Sequence, residues 1–444
     1  MKTSSGWSKS LIDLKQRACA IGRESRDEGY RGIDTSTLAD GRRRGHSSPI
    51  ILVAGTDISH GRGDASHYEQ LHAELSKLGP TLLVHRGTFR FVGGAMNSGS
   101  ELRTLKDVWK TFVYHALLSL WLMTHCSTES VVYCHDWSVA LVAIVSRALK
   151  QYHVIYEANG LATLQMPMVS HGLVPRFAAV LERHVFSRAD GLVAVTSRLA
   201  ETVSGRFHRE VTVITNGGNP NQPRIPKLAA RRSYNLPPTT GLVGFIGSLT
   251  KWQGLELLLR AFRIVANQIE DSRLIIVGDG SERDKLESVS KTLGLEPKIE
   301  FLGHLSHRDC LNMIRAFDVA VVPYQHPELY EKIGRSPIKA YEYMAGECPI
   351  VSGRFPGLGD EIEGVGCGLV VDAENEGALA QGVIQLLRDP VLREEMGQAG
   401  LSFIIRQRSW SDIALKVERE CARFEGRRRG KKERHVRKGG GKIN

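Results

Sequence analysis

From Pro49 onward the chain alternates short, unbroken apolar runs with longer stretches whose apolar residues recur every three or four positions. Runs of strand length lie at 50–54, 82–85, 131–134, 154–156, 192–195 and 211–214, with helical patterns such as 66–78, 139–149 and 176–188 between them. An unbroken run marks a strand covered on both faces. Strands of that kind alternating with helices predict a doubly wound parallel sheet. The pattern restarts with runs at 242–246, 274–277, 319–323, 350–351 and 369–371. Two α/β domains, each with its own core, suit a chain of 444 residues. The longest apolar run, 112–123, is broken by His115 and Ser119 and reads as a buried helix. It is far short of the roughly 20 residues that cross a bilayer.

The interruptions set the boundaries. Asn216-Gly217-Gly218-Asn219-Pro220 closes the first half, and Pro223, Pro226 and Pro237-Pro238 follow. The expected order is an extension at 1–48, a first domain at 49–216, a linker at 217–240, a second domain at 241–408, a helix at 409–426 and a basic tail at 427–444. The formal charge of +11 first suggests a nucleic-acid partner. Its distribution argues otherwise, because residues 1–48 carry +4 and residues 427–444 carry +8, which leaves the body at −1. The tail is expected to touch anionic lipid headgroups. The seven cysteines contain no C-x-x-C pair and read as reduced thiols of a cytoplasmic protein. No apolar segment near Met1 resembles a secretory signal.

Ligands of doubly wound sheets sit at the carboxyl ends of the strands, so the residues there matter most. After the first strand come Gly61 and Gly63, where the backbone can approach a ligand closely. His135-Asp136-Trp137 follows a strand directly, and Asp136 is placed to orient the imidazole. Glu157 ends another strand, as a ligand or as the stabiliser of a helix start. In the second half, Gly247-Ser248 and Gly278-Asp279-Gly280 are glycine-bearing strand ends. Ser336-Pro337-Ile338-Lys339-Ala340-Tyr341-Glu342 opens a helix that Gly346 ends. Lys339 and Glu342 share one face of that helix. They are suited to a phosphate and a sugar hydroxyl, or to a surface i,i+3 ion pair. No metal-binding motif is evident, and a third glycine and acid for a dinucleotide fingerprint are absent.

In this order, Gly247-Ser248-Leu249 with Gln253-Gly254, Val277-Gly278-Asp279-Gly280, Phe301-Leu302-Gly303, Ala316-Phe317-Asp318 with Pro323, and Glu342-Tyr343-Met344-Ala345-Gly346 with Pro349-Ile350-Val351 resemble one family over about residues 50–420. It is the retaining glycosyltransferases of the GT-B fold, family 4. The resemblance implies two Rossmann-like domains facing a cleft. It also implies metal-independent transfer of a sugar from a nucleotide-sugar co-substrate to a glycan or glycolipid, with retention of configuration. His135 matches the family's first-domain histidine, and Glu342 would bind the donor ribose. Residues 410–424 resemble the helix that crosses back to the first domain. The chain departs from the family at Ser248 and Gln253, where two cations normally clamp the diphosphate, and at Gly334, where the first acid of the E-x7-E signature falls. Lys251, Arg335 and Lys339 are the nearby substitutes. The expected site is therefore catalytic His135 and Lys339, with Gly61, Gly63, Gly247, Ser248, Lys251, Gly278, Gly280, Ser336 and Glu342 binding the donor. A nucleotide-sugar epimerase and a non-catalytic donor-binding relative remain as alternatives.

Overall fold

A computed structural model describes residues 48–55, 63–89, 105–169, 174–221, 225–325 and 327–425. Gly61, the 1–47 part of the expected extension, and the basic tail lie outside these residues. Two six-stranded sheets form, in which the paired strands are parallel. The first contains β1 (Ile50–Val53), β2 (Thr81–Val84), β3 (Val131–Cys134), β4 (His153–Ala158), β5 (Gly191–Ala194) and β6 (Thr212–Val213), in the order β2-β1-β3-β4-β5-β6. The second contains β7 (Gly241–Ile246), β8 (Ser272–Val277), β9 (Ile299–Gly303), β10 (Val319–Val322), β11 (Ile350–Gly353) and β12 (Gly368–Val371), in the order β12-β11-β10-β7-β8-β9. Strand order reverses at β1/β3 and at β7/β10. Such switch points open a crevice above the sheet, where a ligand can enter.

The central strands are buried on both sides, which is why they read as continuous apolar runs: β1, β3 and β10 are buried at every position. Edge strand β9 is only half-buried throughout. Its alternation with charged Glu300 hid it in the sequence.

Two expectations change. The 217–240 stretch contains the helix Lys227–Ser233. Arg231 from this helix is buried and pairs with buried Asp318, whose other contacts include Lys227 at 2.8 Å, the Leu242 N–H at 2.8 Å and Arg393 at 3.9 Å. The supposed linker is thus bolted to the second domain. The 112–123 run lies in the helix Leu105–His125, but only one face is covered: Tyr114, Leu118 and Leu122 are buried while Phe112 and Leu120 are exposed. Among the described residues no helix is long and apolar enough to cross a membrane. The six cysteines among them are unbridged.

The last helix, Trp410–Glu425, packs against Gly63–Leu78 beside the first sheet. It contributes Trp410, Ile413, Ala414, Val417, Cys421 and Phe424 to that core. The chain therefore passes between domains twice. The two crossings lie side by side: the Gly218 N–H donates to the Arg408 carbonyl at 2.9 Å, and the Trp410 N–H to the Gly218 carbonyl at 3.2 Å.

Candidate active site

The helix Ile338–Ala345 begins after Pro337 and ends at Gly346. Ala340, Tyr341, Tyr343, Met344 and Ala345 are all buried, so its position is set by packing. The Ile246 N–H at the end of β7 donates to the Tyr343 hydroxyl at 2.8 Å. This ties the helix to the end of β7.

Lys339 does not form a surface ion pair. Its Nζ donates to Gln253 Oε1 at 2.8 Å and lies 4.1 Å above the Phe245 ring. Burial, followed by the Arg335 charge, pushes its pKa well below the usual lysine range. No carboxylate among the described residues pairs with it. Gly247, with φ of 153°, leaves this space open: a Cβ there would stand 2.5 Å from Lys339 Nζ. Gly278 brings the neighbouring strand end equally close, since its Cβ would fall 1.9 Å from the Gly247 carbonyl oxygen. Gly280 likewise crowds the Leu249 carbonyl. Ser248 Oγ accepts from Gln253 Nε2 at 3.4 Å. Gly247, Ser248, Gly278 and Lys339 therefore meet. Lys251 is exposed on the short turn Lys251–Gln253, outside these contacts. The Arg335 guanidinium is held 3.8 Å from the Tyr324 ring centroid and 3.9 Å from that of Tyr330.

Glu342 turns the other way, toward the first domain. Its Oε1 lies 2.8 Å from His307 Nε2 and accepts from Ser66 Oγ at 3.3 Å. Burial disfavours a charged His307, but the Glu342 hydrogen bond and charge outweigh it and raise the pKa above its ordinary value. Ser336 serves the junction between domains: its Oγ accepts from the Asn216 N–H at 3.1 Å and its carbonyl from Asn216 Nδ2 at 2.5 Å.

His135 sits at the end of β3, as its place in the sequence suggests, but Asp136 does not orient it. Asp136 caps the helix Trp137–Ser146 by accepting from the Ser138 N–H at 2.7 Å. The partner is Glu157, whose Oε1 lies 3.0 Å from His135 Nε2. Glu157 is buried on β4, and its second oxygen accepts from the Tyr133 hydroxyl. Burial alone would raise its pKa. The facing His135 and His67, with the Tyr133 bond, hold it well below the usual carboxylate range. Gly63 is the first residue of the helix Gly63–Leu78, which carries Ser66 and His67 to this site.

Sequence reasoning missed His67, His307, Ser66 and Asn216. The first three lie in early helical turns, where nothing local distinguishes them from solvated polar residues. A search of residues following strand-end loops would have found them. The departure at Gly334 has a steric cause. Its φ is 64°, and a Cβ would lie 3.0 Å from Thr196 of the first domain. Any side chain there is strained by the backbone conformation and crowded by Thr196.

Residues 227–403 match the family model of glycosyl transferases group 1. This chain carries a glycosyl transferases group 1 domain. An uncharacterized glycosyltransferase of Methanocaldococcus jannaschii is 28% identical over 64% of this chain and 73% of its own length. The group 1 domain and its N-terminal companion together superpose on sucrose-phosphate synthase from Thermosynechococcus elongatus with a TM-score of 0.68. That likeness has 20% identity and covers 84% of this chain and 98% of the other. The Anabaena protein HepE in complex with UDP-glucose gives a TM-score of 0.64 at 17% identity, over 85% of this chain and 99% of that one. The fold is that of the GT-B glycosyltransferases. The group 1 domain contributes Lys339, Glu342 and His307 to the site, and its companion contributes His135, Glu157 and Ser66.

Proposed function

We propose that this protein transfers a hexosyl group from a nucleotide sugar to a glycan or glycolipid acceptor, with retention of configuration and without a metal ion in the reaction. The observation that carries this reading is Lys339. It is a half-buried amine in contact with no described carboxylate, placed at a helix N-terminus between two glycine-bearing strand ends. An anion bound there restores its charge and meets backbone N–H groups as well. A nucleoside diphosphate leaving group fits that need, and stabilising its developing charge is the main catalytic task of such a site. Glu342, lying on the same helix, takes the ribose hydroxyls once Ser66 and His307 yield. His135, across the cleft, hydrogen-bonds the donor sugar. The two domains exclude water, which limits hydrolysis of the donor. The UDP-glucose held by the structural neighbour HepE is consistent with this class of donor.

The 427–444 stretch fits the same scheme as a contact with anionic lipid on the cytoplasmic side of a membrane, close to a glycolipid acceptor. The test of the main proposal is a nucleotide-sugar screen by thermal stabilisation. A donor at 100 times its dissociation constant adds about 2.7 kcal/mol. NMR of the product with the selected donor and a panel of acceptors then reads the anomeric configuration. Donor binding without turnover across the panel favours the non-catalytic alternative, and an altered free sugar without any acceptor favours the epimerase.

A further inference from the structure

The buried cluster on the first-domain side contains an electrostatic contradiction. Asn216 Nδ2 donates to the Ser336 carbonyl at 2.5 Å, so its amide oxygen is the atom that faces His67 Nδ1 at 3.0 Å. An amide oxygen only accepts, so His67 Nδ1 carries the proton and Nε2 presents a lone pair. That lone pair points at a carboxylate: His67 Nε2 lies 3.6 Å from Glu157 Oε1. Both residues are 2% exposed, and neither of these two atoms has a well-aligned hydrogen bond. A cation held between them would relieve that contact.

We propose that His67, His135 and Glu157 form a binding site for a late first-row divalent metal ion, with Zn2+ as the natural candidate. The ligand atoms are His67 Nε2, His135 Nε2 and Glu157 Oε1, which all lie within 4.8 Å of one another. Zinc bonds of 2.0–2.2 Å place tetrahedral donors about 3.4 Å apart. The 3.0 Å and 3.6 Å separations bracket that value. Two imidazoles with one carboxylate favour zinc, cobalt or nickel over magnesium or calcium. The surrounding contacts are those of a metal site as well. Asn216 fixes the far nitrogen of His67 and Tyr133 holds the second oxygen of Glu157, while Asn159 Nδ2 contacts both His135 ring nitrogens, Nδ1 at 2.9 Å and Nε2 more closely still, and must withdraw from Nε2 for a metal to bind. On binding, the His135 proton moves from Nε2 to Nδ1, and exposed Asn159 turns its amide oxygen to accept it. Three protein ligands leave a fourth position open. The metal occupies the nitrogen of His135 that faces Glu157, so a loaded site restrains His135. That last consequence rests on the role proposed for His135 above, whereas the binding itself does not.

The experiment uses the full-length protein stripped with chelator and titrated with Co2+ as a spectroscopic probe. We expect one Co2+ per chain, visible bands of nitrogen and oxygen ligation, displacement by Zn2+ and indifference to Mg2+. His67→Ala and Glu157→Gln should each weaken binding on the order of 10²-fold. Thiolate charge-transfer bands, or an unchanged titration in folded His67→Ala, would overturn the proposal. X-ray absorption of the zinc-loaded wild-type chain decides the matter without any variant. Two imidazoles plus oxygen support the site, while sulfur ligation or oxygen ligation alone refutes it.

Discussion

Lys339 and Gln253 meet at 2.8 Å although 86 positions separate them in the chain. Gln253 stands where the resembling family carries a clamping lysine. The ammonium group now arrives from the helix Ile338–Ala345, with the glutamine carbonyl steering it. The charge has changed its point of origin but still stands beside the same strand ends. Lys339→Ala should therefore lower kcat by about 10²–10³, the usual loss when one preorganised donor is removed from a developing anion. Lys251→Ala should cost much less, since Lys251 is exposed on its turn. Steady-state kinetics on both variants tests the assignment, and a near-wild-type kcat for Lys339→Ala removes it.

Glu342→Gln should weaken donor binding roughly tenfold or more, because a hydrogen bond to a charged group is worth about 1.5–3 kcal/mol. Calorimetry with the donor identified by the screen reads this directly. Unchanged affinity in a folded variant would show that the ribose does not depend on this carboxylate.

The His307–Glu342 contact predicts a pH dependence of known sign. The folded-state pKa of His307 is raised above 6.5. Its contribution to stability is therefore full below pH 6.5 and is lost as pH rises through the folded value. Thermal melts of wild type and His307→Gln, compared at each pH, should differ most in mildly acidic buffer and converge on the alkaline side. A gap that widens with pH contradicts the pairing.

Asp318→Ala should destabilise the second domain by about 3–5 kcal/mol. It leaves buried Arg231 without its counter-ion and strips the Leu242 N–H of its acceptor. Denaturant unfolding followed by a probe in the second domain measures the effect. A loss below about 1 kcal/mol would mean that water reaches Arg231.

Liposome flotation with and without residues 427–444 tests the tail. Loss of binding to anionic vesicles on truncation is the expected result. Retained flotation would shift attention to the exposed Trp109 and Phe112, whose rings stack 5.9 Å apart on the helix Leu105–His125.

The sequence reveals the architecture because buried parallel strands leave a plain trace. Residues 131–134 and 242–246 could hardly be anything else. It also places His135, Lys339 and Glu342 on the correct strand ends and helix. It does not reveal their partners. Ser66 and Glu342 are 276 positions apart, and His67 and Asn216 are 149 apart. Such pairings depend on how two domains face each other, which no local pattern encodes. Asp136 illustrates the opposite error. Adjacency to His135 made it the natural orienting group, yet an aspartate just before a helix is used first by that helix.

The paired crossings at Gly218 carry a mechanical consequence. A Cβ on Gly218 would lie 2.5 Å from the carbonyl oxygen of Tyr341, and one on Gly217 would lie 2.6 Å from that of Arg408. The first passage thus rests on the helix that bears Lys339 and Glu342, and the second rests on the first, with almost no clearance. A hinge normally stands apart from the load it turns. Here the crossing and the helix are in direct contact, so a tilt of that helix would reach both crossings without an intervening linkage.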